Sequence, residues 1–262
     1  MIRLAIRVRA DRAEVALADL LPILGAGAEE REVEGDVEYA LYGLEAELPR
    51  EDEIRALTDV VGVRAEPVPD GWERRWHEYL RPVRVGDLVV RPPWIEGGRD
   101  DLVIDPGVYF GAGTHATTRI CLELLLREPP AGAICDWGAG TGVLAIAAAR
   151  LGWGPVTAVE VEPGAVDVIR ANAERNGVAV EARAHDLRDG ASWASTVLAN
   201  LPKPVLLEIA GRLGRLAHDL APATRIIASG MLAAEADEVV AAFGMRARRR
   251  LEREGWAGVV LG

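Results

Sequence analysis

The feature that most constrains this chain is a short apolar run, Ala133-Ile134-Cys135-Asp136. It passes through Trp137 into Gly138-Ala139-Gly140-Thr141-Gly142 and then into Val143-Leu144-Ala145-Ile146. The run reads as a buried strand and the segment after Gly142 as a helix. Glycines at this point let the chain turn sharply and let a ligand approach the backbone. The C-terminal end of a strand, just before a helix, is where open α/β sheets bind ligands. A structural turn rarely needs three glycines in five residues, so the block predicts a ligand cradle on a mostly parallel sheet.

The surrounding pattern agrees. Helix 117–127 precedes strand 133–136, helix 143–151 precedes strand 156–161, and helix 164–176 precedes strand 180–184. Strand 196–199 leads into helix 205–216, and strand 225–229 into helix 233–243. Such alternation predicts a parallel sheet with helices on both faces. Segments 246–252 and 258–261 flank Glu254-Gly255 as a hairpin would, which predicts one antiparallel terminal strand.

The first 66 residues read differently. Ile2, Leu4, Ile6 and Val8 alternate with Arg3, Arg7 and Arg9, the period of a half-buried strand. Asp11 and Glu14 start a helix with Leu17, Leu20 and Leu21 on its apolar stripe. Segments 30–33 and 37–42 flank the turn Glu34-Gly35-Asp36, a helix is predicted over 51–60, and a last strand over 63–67. Strand, helix, strand, strand, helix, strand is the order of a small α+β ferredoxin-like domain. Pro67, Pro69 and Gly71 mark a boundary. Trp72, Trp76 and Leu80 then share one helical face, predicting a linker helix packed on a domain, and Leu88–Arg91 reads as a strand. The division is therefore 1–66, a linker 67–100, and 101–262.

Composition limits function. Half of the 262 residues are hydrophobic, and the formal charge is -11. An acidic surface repels phosphate backbones, so direct nucleic-acid binding is not expected. No apolar run approaches the roughly 20 residues needed to cross a bilayer, so no membrane association is expected either. The N-terminal residues do not resemble a signal peptide. Cys121 and Cys135 make no disulfide framework. A cytoplasmic enzyme is the expectation. His77, His115, His185 and His218 show no ligand spacing, and no metal is expected.

The cradle's neighbours narrow its ligand. A dinucleotide fingerprint would place its third glycine where Val143 stands, and a phosphate-binding P-loop would follow Gly142 with Lys and Ser or Thr. Neither fits. Strand 156–161 carries Glu160, 22 residues after Gly138, where a carboxylate at a strand tip accepts both ribose hydroxyls. These features suit S-adenosylmethionine, which carries an adenosyl group but no phosphate. Gly138, Gly140, Gly142 and Glu160 are the expected cofactor residues, with Glu162 a weaker candidate. Asp186 either reaches the adenine amino group or caps a helix. Upstream, Asp105–Thr118 is a glycine-rich loop whose threonines could cap the next helix, and His115 is either a base or a solvated loop residue. After strand 196–199, Asn200-Leu201-Pro202-Lys203-Pro204 offers Asn200, whose amide could align an attacking amine or simply cap a helix.

Together, the loop 105–118, the block 136–146, Glu160, the segment Asn172-Ala173-Glu174-Arg175-Asn176-Gly177 and Ala199-Asn200-Leu201 resemble the bacterial family that methylates large-subunit ribosomal protein eleven. Trp72–Val85 is similar to that family's linker. The resemblance spans about residues 70–232. It implies a class I Rossmann-like S-adenosylmethionine-dependent N-methyltransferase behind a small substrate-recognition domain. It also implies methylation of lysine side chains and the N-terminal amine of a ribosomal protein, with Thr118, Gly138, Glu160 and Asn200 lining the cofactor site. The chain departs from the family in Ala112, where a threonine is usual, in Glu160, where aspartate is usual, and in Pro202 and Pro204, where aliphatic residues are usual. The alternatives are another protein's lysine, a small-molecule amine, or a module that binds the cofactor without transferring methyl.

Overall fold

The computed structural model describes residues 2–13, 16, 20, 29–43, 48–57, 59–67, 80–107, 109–190, 194–213 and 225–262. The predicted helix bearing Trp72 and Trp76 lies outside them, as do most of the helix predicted after Asp11 and the last turn of the helix predicted over 205–216. The chain divides into two compact units, Met1–Glu78 and Tyr79–Gly262.

The first unit holds β1 (Ile2–Arg9), β2 (Glu29–Val33), β3 (Asp36–Gly43), the short helix α1 (Glu51–Arg55) and β4 (Val60–Pro67). Their sheet has the order β2-β3-β1-β4, and every pairing is antiparallel. The alternation along β1 sends Leu4, Ile6 and Val8 into a core with Tyr39, Leu41, Ile54 and Val63. Arg7, between them in sequence, bonds the Asp36 carboxylate at 2.9 Å. Glu34 and Gly35 both have positive φ, as a two-residue hairpin turn requires. The expected helix 51–60 is corrected: it ends at Arg55, and Val60 already belongs to β4. Val60 pairs with Val8 and Val63 with Ile6, so β-branched residues that extend the sheet outweigh continuation of the helix.

The second unit begins with a three-stranded sheet of β5 (Val83–Val85), β6 (Leu88–Arg91) and β7 (Leu102–Val103). Only β6 was expected from the sequence. The main sheet consists of β8 (Ile134–Trp137), β9 (Val156–Glu160), β10 (Glu181–Ala184), β11 (Thr196–Asn200), β12 (Arg225–Leu232), β13 (Ala247–Arg253) and β14 (Trp256–Leu261). The helices are α2 (Ala116–Leu126), α3 (Val143–Arg150), α4 (Pro163–Arg175), α5 (Lys203–Leu213) and α6 (Ala236–Phe243). The strand order is β10-β9-β8-β11-β12-β14-β13. The pairings from β10 through β12 are parallel, and β14 runs antiparallel to both neighbours, as the terminal hairpin predicted.

Side chains alternate across this sheet into two cores. Leu198, Ile227 and Val260 pack with residues of α2, α3 and α4 on one face. Val197, Ala199, Ile226 and Val259 pack with α5 and α6 on the other. Winding runs outward from β8 in one direction through β9 and β10, and in the other through β11 and β12. The strand order therefore reverses between β8 and β11, and a crevice opens beyond their C-terminal ends.

Candidate functional site

The glycine block sits at that crevice. Gly138, Gly140 and Gly142 all have positive φ, at 64°, 54° and 81°. Added side chains would also find no room. A Cβ at Gly138 would strike the Leu201 side chain, one at Gly140 the Phe110 carbonyl oxygen, and one at Gly142 would lie 3.0 Å from Ile169. The first turn is anchored by N–H bonds from Gly138 and Ala139 to the Val159 carbonyl, at 2.9 and 3.1 Å. Below it Asp136 is fully buried and accepts from the Ala145 amide at 3.0 Å, tying the strand to the first turn of α3. Burial pushes the Asp136 carboxyl up to about 8, with the negative charge of Glu160 adding to the rise.

The upstream loop is stapled to this cradle. Thr141 donates its amide to the Phe110 carbonyl at 3.0 Å and its hydroxyl to the Gly111 carbonyl at 2.8 Å. The loop's other anchor is a pair of buried asparagines, Asn172 on α4 and Asn176 at its C-terminal cap. Asn172 accepts from the Asp105 amide at 2.9 Å and donates to the carbonyls of Asp105 and Thr141 at 2.9 and 3.0 Å. Asn176, one turn on, accepts from the Val103 amide and donates to the Val103 carbonyl, both at 2.8 Å. Two side-chain amides thus stand in for a neighbouring strand. The local sequence does not display this task; its one signal is two amides four apart on the face that also buries Ala165, Ile169 and Ala173.

The acidic candidates occupy two strand tips. Glu160 ends β9, and its carboxylate accepts from the amides of Gly140 at 2.9 Å and Val161 at 2.8 Å. It therefore reaches across to the glycine cradle. Glu162 lies at the N-terminal boundary of α4 without a side-chain capping bond. Asp186 caps the short turn Leu187–Asp189 by accepting from the Arg188 amide at 2.8 Å, and it also pairs with the Arg188 guanidinium at 2.7 Å. That guanidinium, with the Arg188 amide, holds the Asp186 carboxyl down to about 2.

On the other side of the cradle, Asn200 ends β11 and donates to the hydroxyl of buried Thr118 at 3.3 Å. The capping residue of α2 is His115, not a threonine: its Nδ1 accepts from the Thr117 amide at 3.3 Å and lies 2.8 Å from the Thr117 hydroxyl. Thr117 and Thr118 are already inside the helix and buried, with their hydroxyls partnered by His115 and Asn200. His115 is half-buried rather than solvated; burial lowers its pKa and Arg119 adds to the effect, while Glu254 opposes it. Pro202 and Pro204 open α5, where a missing N–H costs little. Lys203 between them is paired with Glu238 at 2.7 Å and Glu235 at 3.4 Å. Gly230, which the sequence reading passed over, has φ 97° at a bulge in β12, and a Cβ there would fall on the backbone of Leu201. It lets the segment after Asn200 lie flat on the neighbouring strand, and a lone glycine in an apolar strand was its signal.

Gly138, Gly140, Gly142, Glu160, Thr118 and Asn200 therefore converge on one crevice, joined by direct bonds or by the contact of Gly138 with Leu201. Asp186 is drawn near through the backbone, where the His185 amide donates to the Glu160 carbonyl at 2.8 Å. The cradle fits an adenosyl ligand: backbone without side chains on one side and a carboxylate at the adjacent strand tip.

Comparison with known proteins gives a consistent picture. Residues 50–261 match the family model described as ribosomal protein L11 methyltransferase (PrmA). The chain is 39% identical over 245 residues to the ribosomal protein L11 methyltransferase of Symbiobacterium thermophilum, covering 86% of this chain and 77% of that one. It is 42% identical over 202 residues to that of Pelotomaculum thermopropionicum, covering 72% of this chain and 65% of that one. A crystal structure of a ribosomal protein L11 methylase from Lactobacillus delbrueckii subsp. bulgaricus shares the fold, with a TM-score of 0.62 at 22% identity, over 70% of this chain and 98% of that one.

Proposed function

The chain belongs to the ribosomal protein L11 methyltransferase family, and from that premise we propose that it transfers methyl groups from S-adenosylmethionine to amino groups of ribosomal protein L11, on lysine side chains or the N-terminal amine. The observation that carries this reading is the junction of two half-sites: the glycine cradle with Glu160, and Asn200 with Thr118, abutting through Gly138 and Leu201.

When bound, S-adenosylmethionine supplies a methyl group already activated by its sulfonium. The chain's own task is to position the acceptor and exclude water. Glu160 is suited to the ribose hydroxyls: each carboxylate oxygen accepts one backbone amide and keeps a lone pair for a hydroxyl. Thr118 fixes the Asn200 amide by accepting from its nitrogen, which leaves the Asn200 oxygen to accept an amine N–H. That bond steers the amine's lone pair away from Asn200 and along one line. Asp186 serves the adenine end, its carboxylate held ionised by Arg188.

The first unit, with its strand order β2-β3-β1-β4, is the ferredoxin-like substrate-recognition domain of this reading. No helix among the described residues is long and apolar enough to cross a membrane, and the reading places the enzyme in the cytoplasm, acting on a protein rather than directly on nucleic acid.

Two measurements test it. Radiolabelled methyl should enter recombinant ribosomal protein L11, and label found only in a small metabolite would reject the protein acceptor. Gly138→Arg should abolish calorimetric binding of S-adenosylhomocysteine, because both φ and the Leu201 contact forbid a side chain. Unchanged affinity would displace the site from the cradle.

A further inference from the structure

We propose that Lys203 is a methyl acceptor on the enzyme's own chain, one that Glu235 and Glu238 hold shut; this rests on the methyl-transfer reading above. Of the 30 lysines and arginines in the sequence, Lys203 is the only lysine. A guanidinium keeps its proton at any pH a folded protein meets, so it offers no lone pair to a methyl group. The chain therefore carries a single side-chain amine. That amine stands at the crevice, because Lys203 opens α5 three residues beyond Asn200. The segment between them is fixed. The Leu201 amide donates to the Ser229 carbonyl at 3.1 Å, and the Leu201 side chain lies against Gly138. The Val205 and Leu206 amides donate to the Pro202 carbonyl at 3.0 and 3.1 Å.

The amine is also held. Its Nζ lies 2.7 Å from the Glu238 carboxylate and 3.4 Å from that of Glu235. Glu235 is itself fixed, since its other oxygen accepts from the Leu232 amide at 2.8 Å. The Lys203 side chain is 25% exposed, so charge pins it and packing does not seal it. Both carboxylates raise its pKa, the hydrogen bond to Glu238 most of all, against the opposing effect of burial. An ion pair this open contributes little to stability, which leaves the protonation state of the amine as its chief consequence.

Protonation decides whether transfer can occur. An ammonium has no lone pair and cannot attack the sulfonium-bound methyl. Once the Lys203 proton passes to water, the nitrogen lone pair forms the new N–C bond. The C–S bond breaks with its electron pair left on sulfur, giving S-adenosylhomocysteine and a methylammonium. The stem is tethered three residues from Asn200, which keeps a freed amine at high local concentration beside the crevice. By holding the proton in place, the two carboxylates keep the enzyme from consuming its cofactor on itself.

The test incubates the full-length enzyme with S-adenosylmethionine and no ribosomal protein L11, then maps methyl groups by peptide mass spectrometry. The double variant Glu235→Gln with Glu238→Gln keeps an oxygen for the Leu232 amide but removes both negative charges. It should carry about tenfold or more methyl at Lys203 than wild type, because no opposite charge at hydrogen-bond range then holds the amine's proton. Adding Lys203→Arg should abolish that gain. Glu238→Gln alone should give a gain of about threefold or more, and it decides the matter if the double variant does not fold. If these variants label ribosomal protein L11 as wild type does while Lys203 stays unmethylated, the proposal is refuted and the function stands. Equal methylation of Lys203 in wild type and variants would refute it too, since the carboxylates would then hold nothing shut. If wild type binds S-adenosylhomocysteine but labels no ribosomal protein L11, the function itself fails and the proposal with it.

Discussion

At the scale of single residues, Asp136 carries the sharpest pH prediction. It is completely buried, it accepts from the Ala145 amide, and its carboxyl is pushed up to about 8. A carboxyl whose folded pKa lies above its unfolded value binds its proton more tightly when folded. Its contribution to stability is present below the unfolded pKa, about 4, and is lost as pH rises through about 8. Asp136→Asn keeps an oxygen for the Ala145 amide and cannot ionise. The melting temperature of Asp136→Asn relative to wild type should therefore climb by several degrees between pH 4 and pH 8 and level off above. A difference that stays flat across that range would show that Asp136 is ionised in the folded protein. Glu160, at the adjacent strand tip, is a different case because two amides already satisfy its carboxylate. Glu160→Ala should weaken S-adenosylhomocysteine binding by about tenfold or more in calorimetry, the cost of a charge-assisted bidentate contact. Full affinity in that variant would remove Glu160 from the cofactor site.

At the scale of elements, the asparagine ladder on α4 decides whether the loop after β7 stays joined to the glycine cradle. Asn172→Ala would strand the Asp105 amide and the carbonyls of Asp105 and Thr141. Leaving buried backbone groups unpaired costs about 1–3 kcal/mol each, less where water enters, so a total loss of about 2–4 kcal/mol in urea unfolding is expected. Asn172→Asp should be no milder, since it sets a carboxylate against two carbonyl oxygens. A loss below about 1 kcal/mol would mean the loop is held by Thr141 alone. This ladder also marks where the sequence was legible and where it was not. The β8-to-α3 block, the β13–β14 hairpin and the Glu160 tip are written locally, in glycines, alternation and turn residues, and the structure has them at the expected places within a residue or two. The tasks of Asn172 and Asn176 are written at Asp105 and Val103, about 70 residues upstream. The cap of α2 differs in part for a similar reason: Thr117 and Thr118 suit a cap by type, but His115 takes that place, and the partner of Thr118 is Asn200, 82 residues along the chain. Helix α1 ended early because β1, far along the chain, offered Val60 and Val63 a better place.

At the scale of the whole molecule, the two units divide the work in a way that separates the protein-acceptor reading from its rivals. Each residue assigned to the cofactor or the amine lies in Tyr79–Gly262, and the first unit supplies none. The first unit has its own core of Leu4, Ile6, Val8, Tyr39 and Leu41, and its sheet is completed within the first 67 residues. Its removal should therefore leave the glycine cradle, the asparagine ladder and the Thr118–Asn200 bond intact. A variant lacking residues 1–66 should bind S-adenosylhomocysteine within about twofold of the full chain, while kcat/KM for ribosomal protein L11 falls by about a hundredfold or more, as expected when a separate docking surface is lost. An enzyme for a small-molecule amine would behave otherwise, because a free amine needs only the cradle and Asn200, and its turnover would survive the deletion. A module that binds the cofactor without transferring methyl would show tight binding and no turnover in either form. If the truncated protein is folded by circular dichroism yet no longer binds S-adenosylhomocysteine, the first unit contributes to the cofactor site, and the division of labour between the two units is wrong.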